Sequence, residues 1–287
     1  MRLLLVAAVV VAAGATLAAT ALAGSGRPSS APVPPASVSA SSVPSVSRSA
    51  SPSTSAAKAH GAETPVTALP YRVATCGDTS GRVLITVDDY PYRDPKLVYQ
   101  LAYRATRDWH IGMIGFPISK FTRSYRAKTG VDLVKRARHY GMWMGNHTYD
   151  HKLLTTLTTA QIRREISGGV ASTLLRPPYG AYDATVTKVA TSLGYRLCTW
   201  NIDPLDWQPG RGGHRYRSVA SIRYVIRHEL AEYHLRPGRS IVIDGHYMTN
   251  FPKAIPGIIV DLRARGYRIC RPPRGPTTRT IPDPLPC

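Results

Sequence analysis

Acidic residues are scarce in this chain. Asp and Glu number 17 against 37 Lys and Arg in 287 residues, which gives a formal net charge of +20. Such a surface concentrates polyanions such as nucleic acid, anionic membranes or acidic wall polymers, or it serves only solubility. A nucleic-acid recognition motif with stacking aromatic side chains is also lacking, so specific nucleic-acid binding is not expected. If the chain is exported, anionic wall polymers are the expected polyanionic partners.

Cysteine is also scarce, and no CxxC pair occurs, which argues against a zinc site built from cysteine. The four cysteines are Cys76, Cys198, Cys270 and Cys287. In an exported protein this even number predicts two disulfides, with one bridge or free thiols as the alternatives. Spacing alone leaves three pairings open.

Aromatic and long apolar side chains are missing from residues 24–65, which are rich in Ser, Pro and Ala. This segment cannot bury enough surface to offset chain entropy, so we expect a disordered linker. Residues 1–23 combine Arg2, a long apolar stretch and Ala21-Leu22-Ala23. That pattern predicts a cleaved secretory signal peptide, with an uncleaved anchor as the alternative. Residues 66–287 then form one domain, expected to be a secreted, wall-associated monomer without a stable membrane span.

Strand-like and helix-like segments alternate at least six times after residue 80. Strand patterns are predicted over residues 82–87, 111–116, 142–144, 172–175, 195–202, 240–243 and 267–270. Helical patterns are predicted over residues 94–109, 131–140, 158–166, 183–193, 219–232 and 256–265. This alternation predicts an α/β fold, either a barrel or an open parallel sheet with outer helices.

Polar residues follow these predicted strands. They are Asp88 and Asp89, His147, Arg176, Asp203 and Asp206, and His246. Because functional side chains of such folds gather at the carboxyl ends of the strands, we expect these residues to converge.

His147 and His151 have the spacing that places two side chains on one face of a helical turn. Two imidazoles suit zinc, and a catalytic zinc site needs a third protein ligand and an open position. Asp88 and Asp89 can supply a carboxylate. An exposed helical histidine pair is the alternative, and it becomes less attractive once the other polar residues are considered.

Five motifs in order resemble those of the polysaccharide deacetylases, the NodB-homology enzymes of carbohydrate esterase family 4. They are Thr86-Val87-Asp88-Asp89-Tyr90, His147-Thr148-Tyr149-Asp150-His151, Arg176-Pro177-Pro178-Tyr179, Asp203-Pro204-Leu205-Asp206-Trp207 and Ile241-Val242-Ile243-Asp244-Gly245-His246. The resemblance implies a distorted (β/α) barrel of parallel strands with outer helices. It also implies a hydrolase that cleaves linear amide bonds.

The resemblance implies that Asp89, His147 and His151 hold one divalent metal ion, most plausibly Zn²⁺. Asp88 would be the general base that takes a proton from water. Arg176 would pair with Asp88, keeping it ionised and oriented.

The resemblance also implies that His246 protonates the leaving amine. An aspartate of the fourth motif would raise the pKa of His246. Asp206 is favoured over Asp203, which has a turn-capping role as its alternative. The backbone N–H of Tyr179 would stabilise the oxyanion. Trp207 would form an apolar wall for the substrate, or else belong to the core.

Two positions depart from the family pattern. Tyr90 stands where the family has glycine, so it would reach the cleft and contact substrate. His246 comes one residue later than expected after its strand, which a β-bulge could absorb.

The expected substrate is an N-acetylated glycan, with peptidoglycan before chitin-type amino sugars. O-deacetylation of acetylxylan, and a glycan-binding homologue with low activity, remain the alternatives. A polyanion- or DNA-binding protein rests on charge alone.

Overall fold

The computed structural model describes residues 76–285 and residue 287. The predicted signal peptide (1–23) and linker (24–65) therefore lie outside the described residues, as does the start of the predicted domain up to residue 75. In the part that the structure describes, none of the helices combines the length and apolar character that a membrane crossing requires.

Six strands alternate with seven helices along the described chain. The strands are β1 (Val83–Asp89), β2 (Met113–Pro117), β3 (Trp143–Met144), β4 (Leu174–Leu175), β5 (Arg196–Leu197) and β6 (Ile241–Ile243). The helices are α1 (Leu97–Arg107), α2 (Ser119–Thr129), α3 (Leu133–His139), α4 (Thr159–Ser167), α5 (Ala184–Ser192), α6 (Val219–Glu232) and α7 (Phe251–Ala264). Short 3₁₀ turns occupy Leu154–Thr156, Pro178–Gly180 and Arg211–Gly213.

All named strands pair in parallel, in one sheet of order β3-β2-β1-β6 and a second of order β4-β5. Isolated bridges join the two sheets on both sides, between Asn146 and Leu175 and between Ile202 and Ile243. The strands therefore close into a ring, and the predicted α/β fold of parallel strands with outer helices is confirmed as a distorted barrel.

Strand β1 lies at the centre of the larger sheet, and all seven of its residues are buried. A parallel strand is covered on both faces, which explains why residues 83–87 read as a continuous β-branched and apolar run rather than an alternating one. The two acidic residues at its end are consequently held on a rigid element whose position the core determines.

Most predicted elements are present, with shorter strands, but three differ from the prediction. Helix α2 was not predicted, because only Phe121 and Tyr125 supply apolar contacts to the core and no side chain caps its start. Helix α7 begins at Phe251 and continues through Pro256, where the sequence pattern predicts its start. The strand expected over residues 267–270 is reduced to one bridge between Val83 and Ile269.

Two disulfides are present, Cys76–Cys198 and Cys270–Cys287. The structure thus selects one of the three pairings that spacing left open. The first bridge joins the start of the described domain to the end of β5. The second joins Cys287 to Cys270, whose N–H donates to the carbonyl of Val83 in β1.

Candidate active site

A cavity of about 670 Å³ opens at the carboxyl ends of the strands. Its walls combine charged and aromatic side chains from the carboxyl ends of the six strands and the segments that follow them. They include Asp88, Asp89, Tyr92, Phe121, His147, His151, Tyr179, Trp200, Asp203, Trp207, Asp244, His246 and Met248. Most of the polar residues singled out in the sequence are therefore brought together.

Asp89, His147 and His151 form a compact group whose candidate ligand atoms all lie within 4.8 Å of one another. The Oδ1 atom of Asp89 is 3.5 Å from Nε2 of His147 and 3.2 Å from Nε2 of His151. This oxygen is buried and has no hydrogen-bond partner. A buried carboxylate oxygen without a donor, faced by two imidazole nitrogens, fits the donor set of a divalent zinc-type ion.

A backbone carbonyl group fixes the orientation of the His147 ring. Nδ1 of His147 lies 2.7 Å from the backbone carbonyl oxygen of Arg176. A neutral imidazole that donates its Nδ1–H to a carbonyl presents Nε2 as an acceptor toward Asp89, as metal-ligating histidines do.

The expectation that His147 and His151 share a helical turn is wrong. Residues 145–153 form an irregular loop, with Thr148 at φ 63° and His151 at φ 57°. The Asn146 side chain holds the loop by accepting from the Thr148 N–H at 2.7 Å and donating to the Ile166 carbonyl at 2.8 Å. Left-handed residues without glycine are strained, and such strain concentrates at functional sites.

The charges of the group favour a cation. Burial alone would raise the pKa of Asp89, but the adjacent His147 lowers it to about 2. Burial and the neighbouring His147 lower the pKa of His151 to about 4, so this imidazole is neutral near pH 7. Burial opposes protonation of His147, yet Asp88 and Asp89 raise its pKa above the ordinary value. The direction of this shift shows that positive charge is favoured beside the two carboxylates.

Arg176 is fully buried and connects two carboxylates. Its Nη1 atom lies 2.8 Å from Oδ1 of Asp88 and 2.8 Å from Oδ1 of Asp244. It also lies 2.6 Å from the Thr86 hydroxyl. Burial and the charge of Asp88 raise the pKa of Asp244 to about 8, although Arg176 opposes this. Asp88 therefore has the arginine partner that was expected, and Asp244 is a second carboxyl group that sequence reasoning missed.

His246 faces Asp206. Its Nδ1 atom lies 2.8 Å from Oδ1 of Asp206, and its backbone N–H donates to Oδ2 at 2.9 Å. The Thr249 hydroxyl donates to the same Oδ2 atom. Burial acts to lower the pKa of His246, but the hydrogen bond and charge of Asp206 outweigh it, so the pKa lies well above its ordinary value.

The bulge expected before His246 does not occur. Residues 83–85 pair with 241–243, and Asp88 pairs with His246, so one register is kept throughout. Gly245 makes the continuation possible, because a Cβ atom there would lie 2.2 Å from the Phe251 ring. Asp88 and His246 are consequently neighbours on adjacent strands.

The remaining predicted residues line the cavity, and one of them also caps a turn. Trp207 is 46% exposed and lines the cavity, so it is not a core residue. Tyr179 also lines it, at φ 60°, with its ring 4.7 Å from that of His151. Asp203 lines the cavity as well, and its Oδ1 accepts from the Leu205 N–H at 2.8 Å, as in an Asx turn before Pro204.

Of the three residues expected to contact substrate, Tyr90 is the one that does not line the cavity. Its side chain is only 5% exposed and packs in the core, stacked on Phe121 with ring centroids 5.4 Å apart. Burial raises the pKa of Tyr90 to about 12. Tyr92 and Phe121 line the cavity instead, so Tyr90 supports the wall from behind rather than narrowing the cleft.

Asp244 could have been found from its position directly after the apolar strand Ile241–Ile243, the same signal that identified Asp88 and Asp89. Tyr92, Phe121 and Met248 carried no comparable signal, since each lies in a loop or at the start of a helix that the sequence did not predict.

Comparisons with known proteins agree with this site. The polysaccharide deacetylase family matches residues 77–198. The bifunctional xylanase/xylan deacetylase of Cellvibrio japonicus is 29% identical over 197 residues, which cover 65% of this chain and 26% of that protein. The peptidoglycan-N-acetylmuramic acid deacetylase PdaA of Bacillus subtilis is 28% identical over 157 residues, which cover 51% of this chain and 56% of that protein.

Among solved structures, a family 4 carbohydrate esterase from Streptomyces lividans in complex with acetate superposes with a TM-score of 0.52. It is 27% identical, and the match covers 72% of this chain and all of that one. The aligned part of this chain spans about a quarter and about half of the two curated relatives. With the five motifs gathered around one cavity of a distorted parallel barrel, the chain belongs to the polysaccharide deacetylase family.

Proposed function

We propose that this protein is a metal-dependent hydrolase that removes N-acetyl groups from an extracellular glycan. One observation carries the proposal: a single cavity holds the Asp89, His147 and His151 group together with an arginine-paired Asp88 and an aspartate-paired His246. Metal ligands, a base and an acid are the parts that amide hydrolysis requires.

Asp89, His147 and His151 would hold the metal ion, and Zn²⁺ suits two imidazoles and one carboxylate. Such an ion supplies Lewis acidity and a water of lowered pKa. The other steps fall to side chains of this chain.

Asp88 is placed to act as the general base. Its Oδ1 is bound by Arg176, while its Oδ2 lies 3.7 Å from Nε2 of His147, on the side of the metal group. The carboxylate is thus held by one oxygen, and the other is left to take a proton from the attacking water. Because Arg176 is fully buried and also binds the Cys198 carbonyl and Asp244, it holds the base in one orientation.

His246 is placed to act as the general acid. The carboxylate of Asp206 binds Nδ1, so the proton for the leaving amine would be delivered from Nε2. The raised pKa of His246 favours the protonated ring, which is the state that an acid needs. The backbone N–H of Tyr179 would donate a hydrogen bond to the oxyanion that forms from the acetyl carbonyl oxygen. Trp207 would pack against the acetyl methyl group or the sugar ring.

Peptidoglycan is the first substrate we propose, and chitin-type oligosaccharides come next. The basic surface suits a protein working among anionic wall polymers, and the two disulfides suit an oxidising compartment outside the cell. O-deacetylation of acetylxylan uses the same residues on an ester and is the second candidate.

The two observations that suggested a glycan-binding homologue, Tyr90 and the late position of His246, give weaker support in the structure. Tyr90 does not enter the cavity, and His246 keeps its register beside Asp88 and its bond to Asp206.

The test is acetate release by the purified protein, first stripped with a chelator and then loaded with Zn²⁺. Peptidoglycan, chitin oligosaccharides and acetylxylan are offered side by side. We expect release only from the loaded protein, and a loss on the order of 10²–10⁴-fold in Asp88→Asn. Asp108→Asn, an exposed substitution of the same kind, serves as the matched control. A folded, zinc-loaded protein that releases no acetate from any of the three substrates would overturn the proposal.

A further inference from the structure

A second open cavity, of about 660 Å³, lies between α2, α3 and the C-terminal segment. We call it the basic groove. Its charged lining residues are Arg123, Arg126, Lys135, Arg138, Arg279 and Asp132. Five cations thus face one carboxylate, which makes the groove far more basic than a mixed protein surface.

The single carboxylate does not balance these cations. Asp132 is committed to Arg126 at 3.2 Å and to capping α3 through the Lys135 N–H at 2.9 Å. Over residues 76–285 and 287, no carboxylate forms a salt bridge with Arg123, Lys135 or Arg279. Among the same residues, no carboxylate forms a salt bridge with Arg138, which donates to the backbone carbonyls of Met144 and Ala171.

Arg138 is fixed at the floor of the groove. Its Nη2 donates to the carbonyls of Met144 at 3.1 Å and Ala171 at 2.6 Å. Burial lowers the pKa of Arg138, and the nearby charge of Arg279 lowers it further, against the opposing effect of Asp132. Both guanidinium groups line the groove and repel each other, and an external oxyanion would relieve that repulsion.

The opposite wall is also preformed. Thr277 donates its N–H to the Arg138 carbonyl at 2.9 Å and its hydroxyl to the Met142 carbonyl at 2.7 Å. The Cys270–Cys287 disulfide closes the segment that carries Thr277 and Arg279. A groove whose walls are fixed in advance loses little entropy when it binds.

The lining also restricts the kind of anion. It contains no Phe, Tyr or Trp, so bases would find no stacking platform of the kind that single-stranded nucleic acids use. Helix α2 separates the groove from the active-site cavity. Ser119, Thr122 and Arg123 face the groove, whereas Phe121 on another face of the same helix lines the cavity.

We propose that the basic groove binds a linear polyanion that carries repeated phosphodiester or carboxylate groups. Such a polymer would hold the protein in an anionic matrix while the cavity on the other side of α2 stays free for a glycan. The inference does not depend on the proposed deacetylase activity, because it rests on charge and geometry outside that cavity.

The test measures binding of the full chain to poly(glycerol phosphate) and to polygalacturonate as salt is raised. Neutral dextran is the blank, and an oligothymidylate is the nucleic-acid arm. The groove variant combines Arg123→Gln, Lys135→Gln and Arg279→Gln. Its matched control combines Lys188→Gln, Arg236→Gln and Arg265→Gln, which removes the same charge from exposed positions elsewhere. Acetate release from a short neutral oligosaccharide is measured for both.

We expect the groove variant to bind at least about tenfold more weakly in 0.1 M salt, with its salt slope reduced by about two, because each lost contact removes about 0.7. The control should stay close to the unmodified protein, and acetate release should be the same in both variants. The stronger of the two polymers identifies the anion as phosphate or carboxylate. Equal losses in both variants, no binding of either polymer at low salt, or a groove-dependent preference for oligothymidylate would each refute the proposal.

Discussion

Replacing Asp244 with asparagine should change how the stability of the metal-free protein depends on pH. Asp244 is buried, and it shares the Nη1 atom of Arg176 with Asp88, each at 2.8 Å. One guanidinium nitrogen thus serves two carboxyl groups. Burial and the charge of Asp88 raise the pKa of Asp244 to about 8.

The direction of the effect follows from proton linkage. An unfolded aspartate has a pKa of about 3.9, so the folded state binds this proton more tightly between roughly pH 4 and 8. The raised pKa therefore contributes stability that is present below pH 4 and is lost as the pH rises through 8. Each pH unit in that window corresponds to about 1.4 kcal/mol, so the loss between pH 5 and pH 8 is at most about 4 kcal/mol.

Asparagine has the shape of a protonated aspartate and does not titrate, so Asp244→Asn should remove this loss. The assay is urea unfolding of both proteins from pH 5 to pH 9 in the presence of a chelator. We expect the variant to match the unmodified protein at pH 5 and to be more stable by up to about 4 kcal/mol at pH 8. Asp108→Asn is the exposed control. A stability difference that stays constant across the range would refute the reasoning about the shared arginine.

Three further changes test other parts of the site. Asp206→Asn should lower the pKa of His246, since it removes the main group that raises it, and an NMR titration of the His246 ring would contradict this if the pKa stayed in place. His151→Ala should weaken Zn²⁺ binding by at least about tenfold in calorimetry, and an unchanged affinity would exclude it as a ligand. Arg176→Met should cost about 3–5 kcal/mol of unfolding free energy by leaving Asp88 buried without its cation, and a cost below about 1 kcal/mol would show that the pair is dispensable.

Much of the fold was predictable because the apolar pattern and the capping residues of most elements agree with the structure that they adopt. Helix α6 begins and ends where the pattern predicted, over Val219–Glu232, since Ser218 caps its start by accepting from the Ser221 N–H. Helix α2 has no such cap and few apolar residues, so packing rather than local preference determines it. Helix α7 tolerates Pro256 in its interior because its long buried face against the barrel outweighs the local break.

The candidate site was predictable in its members but not in its geometry. Residues that end parallel strands meet at one edge whatever the loops do, which is why Asp89 and His147 were correctly expected to meet. Histidine spacing, by contrast, predicted a helical turn. In the structure the N–H of the left-handed His151 donates to the Thr148 hydroxyl, and the Thr148 N–H donates to the Asn146 side chain, which no spacing reveals. The in-register placement of His246 was likewise hidden, because it depends on the close packing of Gly245 against Phe251.

Arg176 explains why the third motif must lie between the metal group and the base. Its carbonyl oxygen orients His147, and its guanidinium binds Asp88, so one residue positions both a proposed metal ligand and the proposed general base. Its backbone N–H donates to the Asn146 carbonyl at 2.8 Å, which ties the end of β4 to the histidine loop. Its Nη2 atom lies 3.3 Å from the Sγ atom of Cys198, so the Cys76–Cys198 bridge packs directly behind the guanidinium. Removal of the side chain alone leaves the carbonyl in place, and metal affinity and base position should therefore separate in Arg176→Met.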